Sequence, residues 1–306
     1  MRFGILGNTQ KARAAEAIAR LVDFLDAEGL EHVAEERLAE LFVGDARRAS
    51  MRFLPRDEAI GGSDVVVAFG GDGTMLSAGR SLAGTGIPLI GFNLGSLGFL
   101  AEFAVEEIEK TIAEYRDGTC RIVERTLLAA HLPDGETLIG LNDIVVDKRE
   151  TRLMVTLEVS VDGDYLATYT ADGLILATPT GSTAYSLAVG GPIVTPNAPV
   201  IILTPIAPHM LTARPVVLTD RATVTIRPLV DHAAPGEAIH VIADGQTHRY
   251  LPVGASMTVT RHDGIVRLVK RRAQTYFDVL RAKLLWGRRP SLDEGTVVTE
   301  DPLGGS

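Results

Sequence analysis

One carboxylate stands inside a glycine turn. Residues 69–74 read Phe-Gly-Gly-Asp-Gly-Thr and directly follow the apolar run 65–68. The run has the character of a buried strand, and the glycines let the backbone turn tightly and approach a ligand. Residues 74–82 then read as a helix. N–H groups converging from a turn and a helix N-terminus make an anion site. An anion site with Asp72 beside it suits phosphoryl transfer to a hydroxyl, where the protein positions groups, stabilises charge and supplies a base. The pattern is neither Gly-x-x-x-x-Gly-Lys-Ser/Thr nor Gly-x-Gly-x-x-Gly. A plain turn in which Asp72 caps the helix is the alternative.

A second segment is as unusual. Residues 178–185 read Thr-Pro-Thr-Gly-Ser-Thr-Ala-Tyr, after the apolar run 174–177. From there no charge occurs until Arg214. Small residues beside Tyr185 suit a surface on which a flat base can stack and which hydroxyls can reach. A tight loop packed on a sheet would look the same.

The elements that must position these residues fall into two styles. Over the first hundred residues strands and helices alternate: a strand at 2–6, a helix at 11–27 ending before Gly29, strands at 65–69 and 87–92 around the helix 74–82. Residues 32–42 fit either a strand or a helix. This order predicts a parallel sheet flanked by helices, with ligands beyond the carboxyl ends of its strands. Asp72 and the loop 93–99 (Asn-Leu-Gly-Ser-Leu-Gly-Phe) both fall there. A helix follows at 105–115. After Gly118 the period becomes two, with Leu153, Val155, Leu157, Val159 and Val161 on one face. Asp-Gly pairs at 134–135, 162–163, 244–245 and 263–264 have hairpin chemistry. The expected fold is therefore α/β plus all-β. A Rossmann-like parallel α/β domain spans 1–102, with a last helix in 269–290 returning to it. A C-terminal β-sandwich spans 103–268, and a tail at 291–306 is expected to be disordered.

The 306 residues carry 46% apolar residues, a net charge of −9 and one cysteine. This leaves room for two domains and a large core. The acidic balance argues against a nucleic-acid partner. A single cysteine fits a reducing compartment. The N-terminus lacks the apolar stretch of a signal peptide, and no run approaches the roughly 20 residues of a membrane span. The expectation is a soluble cytoplasmic protein.

Taken together the segments resemble the NAD kinases, which phosphorylate the adenosine-ribose 2′-hydroxyl of NAD to give NADP. The resemblance runs through residues 70–74, the loop 93–99, the pair Asn142-Asp143, the segment 178–185, Gly190-Gly191-Pro192-Ile193, Pro208-His209 and Arg214-Pro215. It covers most of the chain outside the tail and residues 30–60. The first motif is shared with lipid kinases and is related to that of phosphofructokinases; the second is far more specific. The resemblance implies that Asp72 is the base on the acceptor hydroxyl. Gly71, Gly73, Thr74, Asn93, Gly95 and Phe99 would hold phosphates, and Asn142 and Asp143 would contact the dinucleotide. Asp172 would lie near the nicotinamide, Thr183, Ala184, Tyr185 and Ser186 at the adenosine pocket, and Gln246 on a loop that reaches the nucleotide. It further implies ATP as donor, with Mg²⁺ or another divalent cation carried on its phosphates, and a homo-oligomer, dimer or tetramer. No carboxylate or cysteine cluster suggests a protein-built metal cage.

The chain departs from the family in places. Asp143 stands where bacterial members usually carry glutamate, and Ala188 where many carry serine. Ser77 and Thr170 stand where some carry a basic residue. Arg80, Arg149 and Arg152 are candidates to compensate, against a reading of each as a solvated surface arginine. A lipid or sugar kinase with the same first motif, and a regulatory module that binds NAD without turnover, are the competing readings.

Overall fold

The structure is a computed structural model and describes residues 1–95, 98–148, 154–229 and 238–286. The expected tail, Arg149, Arg152, Ser96 and Leu97 lie outside them.

In the N-terminal half, strand β1 (Arg2–Gly7) leads into helix α1 (Ala14–Ala27), then β2 (Glu31–Glu35), β3 (Phe53–Leu54), α2 (Arg56–Gly61), β4 (Val65–Gly70), α3 (Asp72–Ser81) and β5 (Pro88–Asn93). The ambiguous stretch contains both forms: β2, then a 3₁₀ turn over Glu36–Phe42. The strands run parallel in the order β5-β4-β1-β2-β3. The chain therefore leaves β1 toward one side and β4 toward the other. That is a topological switch point, where ligands of open α/β sheets bind. β4 is buried along its whole length, as a strand covered on both faces must be. Ile18, Leu21 and Leu25 of α1 pack with Phe3, Ile5, Val65, Val67, Phe69 and Phe92 in one core.

After the short β6 (Phe103–Ala104) and helix α4 (Ile108–Arg116), the strands become antiparallel: β7 (Arg121–His131), β8 (Thr137–Gly140), β9 (Asp143–Asp147), β10 (Val155–Val161), β11 (Asp164–Ala171) and β12 (Gly173–Ala177). A one-turn helix α5 (Tyr185–Ala188) precedes β13 (Val200–Ile206), β14 (Val216–Thr219), β15 (Val224–Pro228), β16 (Ala238–Ala243), β17 (Thr247–Pro252) and β18 (Met257–Lys270). A six-stranded sheet has the order β14-β13-β12-β9-β16-β17. It packs on the antiparallel arm formed by β7, β10, β11, β15 and β18 through Leu157, Val159, Leu174, Leu176, Leu203 and Val259. The long β18 joins the two halves. Its first part pairs with β15, and Arg267 and Leu268 pair in parallel with Pro88 and Leu89 of β5.

The Asp-Gly pairs divide. Asp162-Gly163 and Asp244-Gly245 both have positive φ at each residue; the first closes a two-residue hairpin between Val161 and Asp164, as such a turn requires, and the second opens a three-residue turn between Ala243 and Thr247. Asp263-Gly264 is no turn: it lies inside β18, where the register against β7 shifts between Arg261 and Ile265. No side chain fits at 264, since a Cβ there would approach Gly84 N to 2.7 Å. The final segment, Ala273 onward, is a separate compact unit. Its helix α6 (Tyr276–Leu284) is capped by Thr275, which accepts from Asp278 N, and ends at Leu285 in the left-handed region. No helix among the described residues is long and apolar enough to cross a membrane.

Candidate active site

The glycine turn lies where β4 ends at the switch point. A Cβ at Gly70 would fall 2.1 Å from Thr74 Oγ1, so the tucked threonine demands glycine there. Gly71 is extended and faces open space. Asp72 is the first residue of α3, but its side chain does not cap that helix. It reaches across to the loop after β5: Oδ2 accepts from Phe99 N (2.9 Å), and Oδ1 from Leu100 N (3.0 Å) and Ala101 N (3.3 Å). Only glycine at 98 permits this approach, because a Cβ would lie 1.9 Å from Asp72 Oδ1. Asn93, at the end of β5, accepts from Gly95 N (2.8 Å) and turns the same loop.

The carbonyls of that loop are held from the opposite direction. Lys270 Nζ donates to Phe99 O (3.2 Å) and Leu100 O (3.0 Å) and pairs with Glu102 at 3.1 Å. Glu102 also accepts from Arg271 N. Both side chains of the pair are buried. Burial pushes the Lys270 ammonium down from its usual range, and Glu102 opposes that. No sequence pattern pointed to Lys270; it is the end of a strand that reaches the loop only through the fold.

A second cluster lies at the tips of β9 and β16. Asp244 occupies the first position of the β16–β17 turn, and its carboxylate is wholly enclosed. It accepts from Leu141 N (3.0 Å), Asn142 N (2.7 Å) and Asp143 N (3.2 Å), and pairs with Arg80 Nη1 at 2.5 Å. Arg80 also donates to Gln246 Oε1 (2.7 Å), and Gln246 Nε2 donates to Gly73 O (2.8 Å). The reading of Arg80 as a solvated surface arginine is therefore corrected: its side chain is 15% exposed and links α3 to the second sheet. Asp143 is buried beside this network. Burial pushes its carboxyl up to about 7, and the charge of Asp244 adds to the shift.

The segment 178–186 lies on the Asn142 backbone. Thr178 Oγ1 donates to Leu141 O (2.7 Å) and accepts from Gly181 N (3.1 Å). A Cβ at 181 would sit 2.0 Å from Asn142 O. Ser182 is buried and bonds Pro179 O and Val194. Ser186 is buried against Thr204 Oγ1 at 3.0 Å, and Thr183 Oγ1 turns back to Thr180 O (3.3 Å). These hydroxyls shape the loop from within. Ala184 is half-buried, and Tyr185 is exposed. Desolvation raises the Tyr185 phenol, and the charges of Asp147, Asp172 and Asp143 add to the shift. Asp172 pairs with Lys148 at 2.5 Å.

The fold thus joins two groups through Arg80 and Gln246: Gly73 with Asp72 and the Asn93 loop, and Asn142-Asp143 with the segment 178–185. Among the described residues no group of three His, Cys, Asp or Glu side chains could hold a metal.

The chain matches the ATP-NAD kinase N-terminal domain over residues 3–120 and the ATP-NAD kinase C-terminal domain over residues 141–271. The NAD kinase of Bacteroides fragilis is 37% identical over 290 residues, covering 94% of this chain and 98% of that protein. The NAD kinase of Geobacter metallireducens is 44% identical over 231 residues, covering 74% and 80%. Yeast NADH kinase, solved in complex with NADH, superposes with a TM-score of 0.86 at 25% identity, covering 96% of this chain and 90% of that one. These likenesses set aside the lipid- or sugar-kinase reading and the module without turnover. With matches to both domains and relatives aligned over nearly its whole length, the chain belongs to the ATP-NAD kinase family.

Proposed function

We propose that the protein transfers the γ-phosphoryl group of ATP to the 2′-hydroxyl of the adenosine ribose of NAD, with Asp72 as the base. The observation that carries this reading is the bridge from Gly73 through Gln246 and Arg80 to Asp244 and the Asn142-Asp143 turn. It fixes a phosphate-binding turn and a nucleoside-facing surface in one geometry, and catalysis of phosphoryl transfer is mostly such positioning.

Asp72 keeps the capacity to act. A carboxylate offers about four lone-pair sites. Oδ1 accepts two N–H groups and Oδ2 only one, which leaves one site on Oδ2 for the proton of the attacking hydroxyl. The turn at Gly71, Gly73 and Thr74, with Asn93, Gly95 and Phe99, receives the donor phosphates. Asn142 and Asp143 take ribose hydroxyls. With a pKa of about 7, the Asp143 carboxyl can donate as well as accept at neutral pH. Tyr185, Thr183 and Ala184 form the face for the adenine, and Asp172 lies toward the nicotinamide. Ser186 supports that face from the interior. A divalent cation, Mg²⁺ in the first instance, would arrive on the triphosphate and would neutralise part of its charge. We place the protein in the cytoplasm as a homo-oligomer; light scattering at the monomer mass with full activity would overturn the assembly.

The test is direct: incubation with NAD, ATP and Mg²⁺ should yield NADP. Phosphate found on another ribose hydroxyl, or no NADP at all, would overturn the reading.

A further inference from the structure

The two carbonyl bonds of Lys270 fall on the two peptide groups that serve Asp72 Oδ1. Nζ donates to Phe99 O (3.2 Å), and the N–H of that same peptide, Leu100 N, donates to Oδ1 (3.0 Å). Nζ also donates to Leu100 O (3.0 Å), and the N–H of that peptide, Ala101 N, donates to the same carboxylate oxygen (3.3 Å). Each path runs from ammonium to carbonyl, from amide to carboxylate. The third donor to Asp72, Phe99 N, belongs to the preceding peptide and goes to Oδ2 (2.9 Å).

The side chain of Lys270 is held as an ammonium. Its three acceptors, Phe99 O, Leu100 O and Glu102 Oε2 at 3.1 Å, match three N–H groups. A neutral amine would be one donor short. Burial opposes the charge most strongly; Glu102 favours it, Arg125 opposes it, and Asp72 favours it. A donor on a carbonyl polarises the peptide, so the N–H at its other end bonds more strongly, and this mutual support is greatest away from water. Lys270 lies in such a place, 5% exposed at the end of β18.

We propose that Lys270 is a positioning residue for phosphoryl transfer: through the peptides 99–100 and 100–101 it locks Oδ1 of Asp72 and leaves Oδ2 to meet the acceptor hydroxyl. The part in transfer rests on the reading of Asp72 as the base; the relay through the two peptides does not. One oxygen of the base is then fixed by a buried charge that never touches substrate, and the other keeps its open lone pair.

Lys270→Met combined with Glu102→Gln tests this, because it removes the cation without stranding a buried carboxylate. Turnover should fall about ten- to hundredfold, the scale of a slightly misplaced reacting group. The KM values for ATP and NAD should stay within about twofold, too little to signal a lost contact. The acid limb of the kcat–pH profile should move up by about one unit: with the cation gone, the carboxylate is less favoured and takes its proton at higher pH. Glu102→Gln alone keeps the ammonium and its carbonyl bonds and should retain most of the turnover. Lys270→Gln combined with Glu102→Gln is a gentler second variant, whose amide can still donate to one carbonyl; it should show the same pattern with a smaller loss. A clamp without the relay would lower turnover evenly across pH or raise both KM values. Either result, or turnover near wild type, would overturn the proposal. Amide proton shifts in ligand-free protein separate it from the kinase reading. In the first double variant the Leu100 and Ala101 amides should move upfield, and the Phe99 amide much less. If wild-type protein makes no NADP but those two amides move in this way, the relay stands and the kinase reading falls. If all three amides move alike, or none does, the relay falls.

Discussion

At the end of the parallel sheet, Asp72 takes three backbone N–H groups from residues 99–101; at the tip of the second sheet, Asp244 takes three from residues 141–143. Each is an aspartate at a glycine-containing turn, and each ties down a loop that supplies part of the site. They differ in what meets the charge. Among the described residues no cation is paired with Asp72; Lys270 holds the carbonyls of the loop instead. Asp244 is answered directly by Arg80 and is fully enclosed. With its acceptors filled, Asp244 can only position. Asp72 retains an acceptor beside the open Gly71 and can take part in chemistry. The difference extends to Asp143, which is buried with no comparable set of donors among the described residues and is pushed up to about 7.

The largest expected effect breaks the first half. Asp72→Asn should lower turnover by about 10²–10⁴-fold, the usual contribution of a positioned base. Its amide NH₂ would also face an N–H of the 99–101 loop, so the melting temperature should fall modestly. Turnover near wild type would reduce Asp72 to the same role as Asp244. Next, Lys270→Met should cost about 3–5 kcal/mol in urea unfolding, because it strands Glu102 as an unpaired buried charge. Lys270→Met combined with Glu102→Gln should recover much of that. A single variant as stable as wild type would show that the pair does not clamp the loop.

The sequence made the architecture legible because its signals are local. Apolar runs, glycine turns and the change of period after Gly118 correspond to β4, β5, α3 and the antiparallel strands. Asp162-Gly163 and Asp244-Gly245 lie in hairpin turns with positive φ at both residues. The remainder depends on meetings across the chain. Asp244 reads as a turn residue; its second role appears only when residues 141–143 and Arg80 are brought to it from 101 to 164 positions away. Lys270 belongs to no motif and is recognised by burial and partners alone. The hydroxyls of 178–186 have a further role that the sequence does not announce. Thr178, Ser182 and Ser186 bond to backbone or to Thr204 and so hold their own loop.

The second half can be sharpened through pH. Native Asp143 has a pKa of about 7 against an ordinary 3.8. Between those values the folded state binds a proton that the unfolded state has lost. Stability therefore falls as pH rises from about 4 to about 7 and is flat above, by at most about 4 kcal/mol for a shift near three units. Asp143→Asn cannot ionise. It should be more stable than wild type at pH 8, with the gap closing toward pH 4. Parallel stability curves for the two proteins would remove Asp143 as the titrating group. A KM for NAD that also rises in the asparagine variant would support the carboxyl as a ribose ligand.

The smallest effect concerns the bridge between the halves. Gln246 is exposed, so water can replace much of what its side chain does, and Gln246→Ala should cost about 1 kcal/mol or less. Gln246→Glu is the more telling change. Its carboxylate would strengthen the contact to Arg80, which now donates to Oε1 at 2.7 Å. The same change replaces the Nε2 donor to Gly73 O with an oxygen, and two acceptors would then face each other at the glycine turn. If the bond to Gly73 matters, the gain at Arg80 is cancelled and the glutamate variant is no more stable than the alanine one. Its KM for ATP should then rise more than its KM for NAD, because the displaced carbonyl belongs to the phosphate-binding turn. A glutamate variant more stable than wild type, with both constants unchanged, would show that Arg80 and Asp244 hold the two halves together without Gln246.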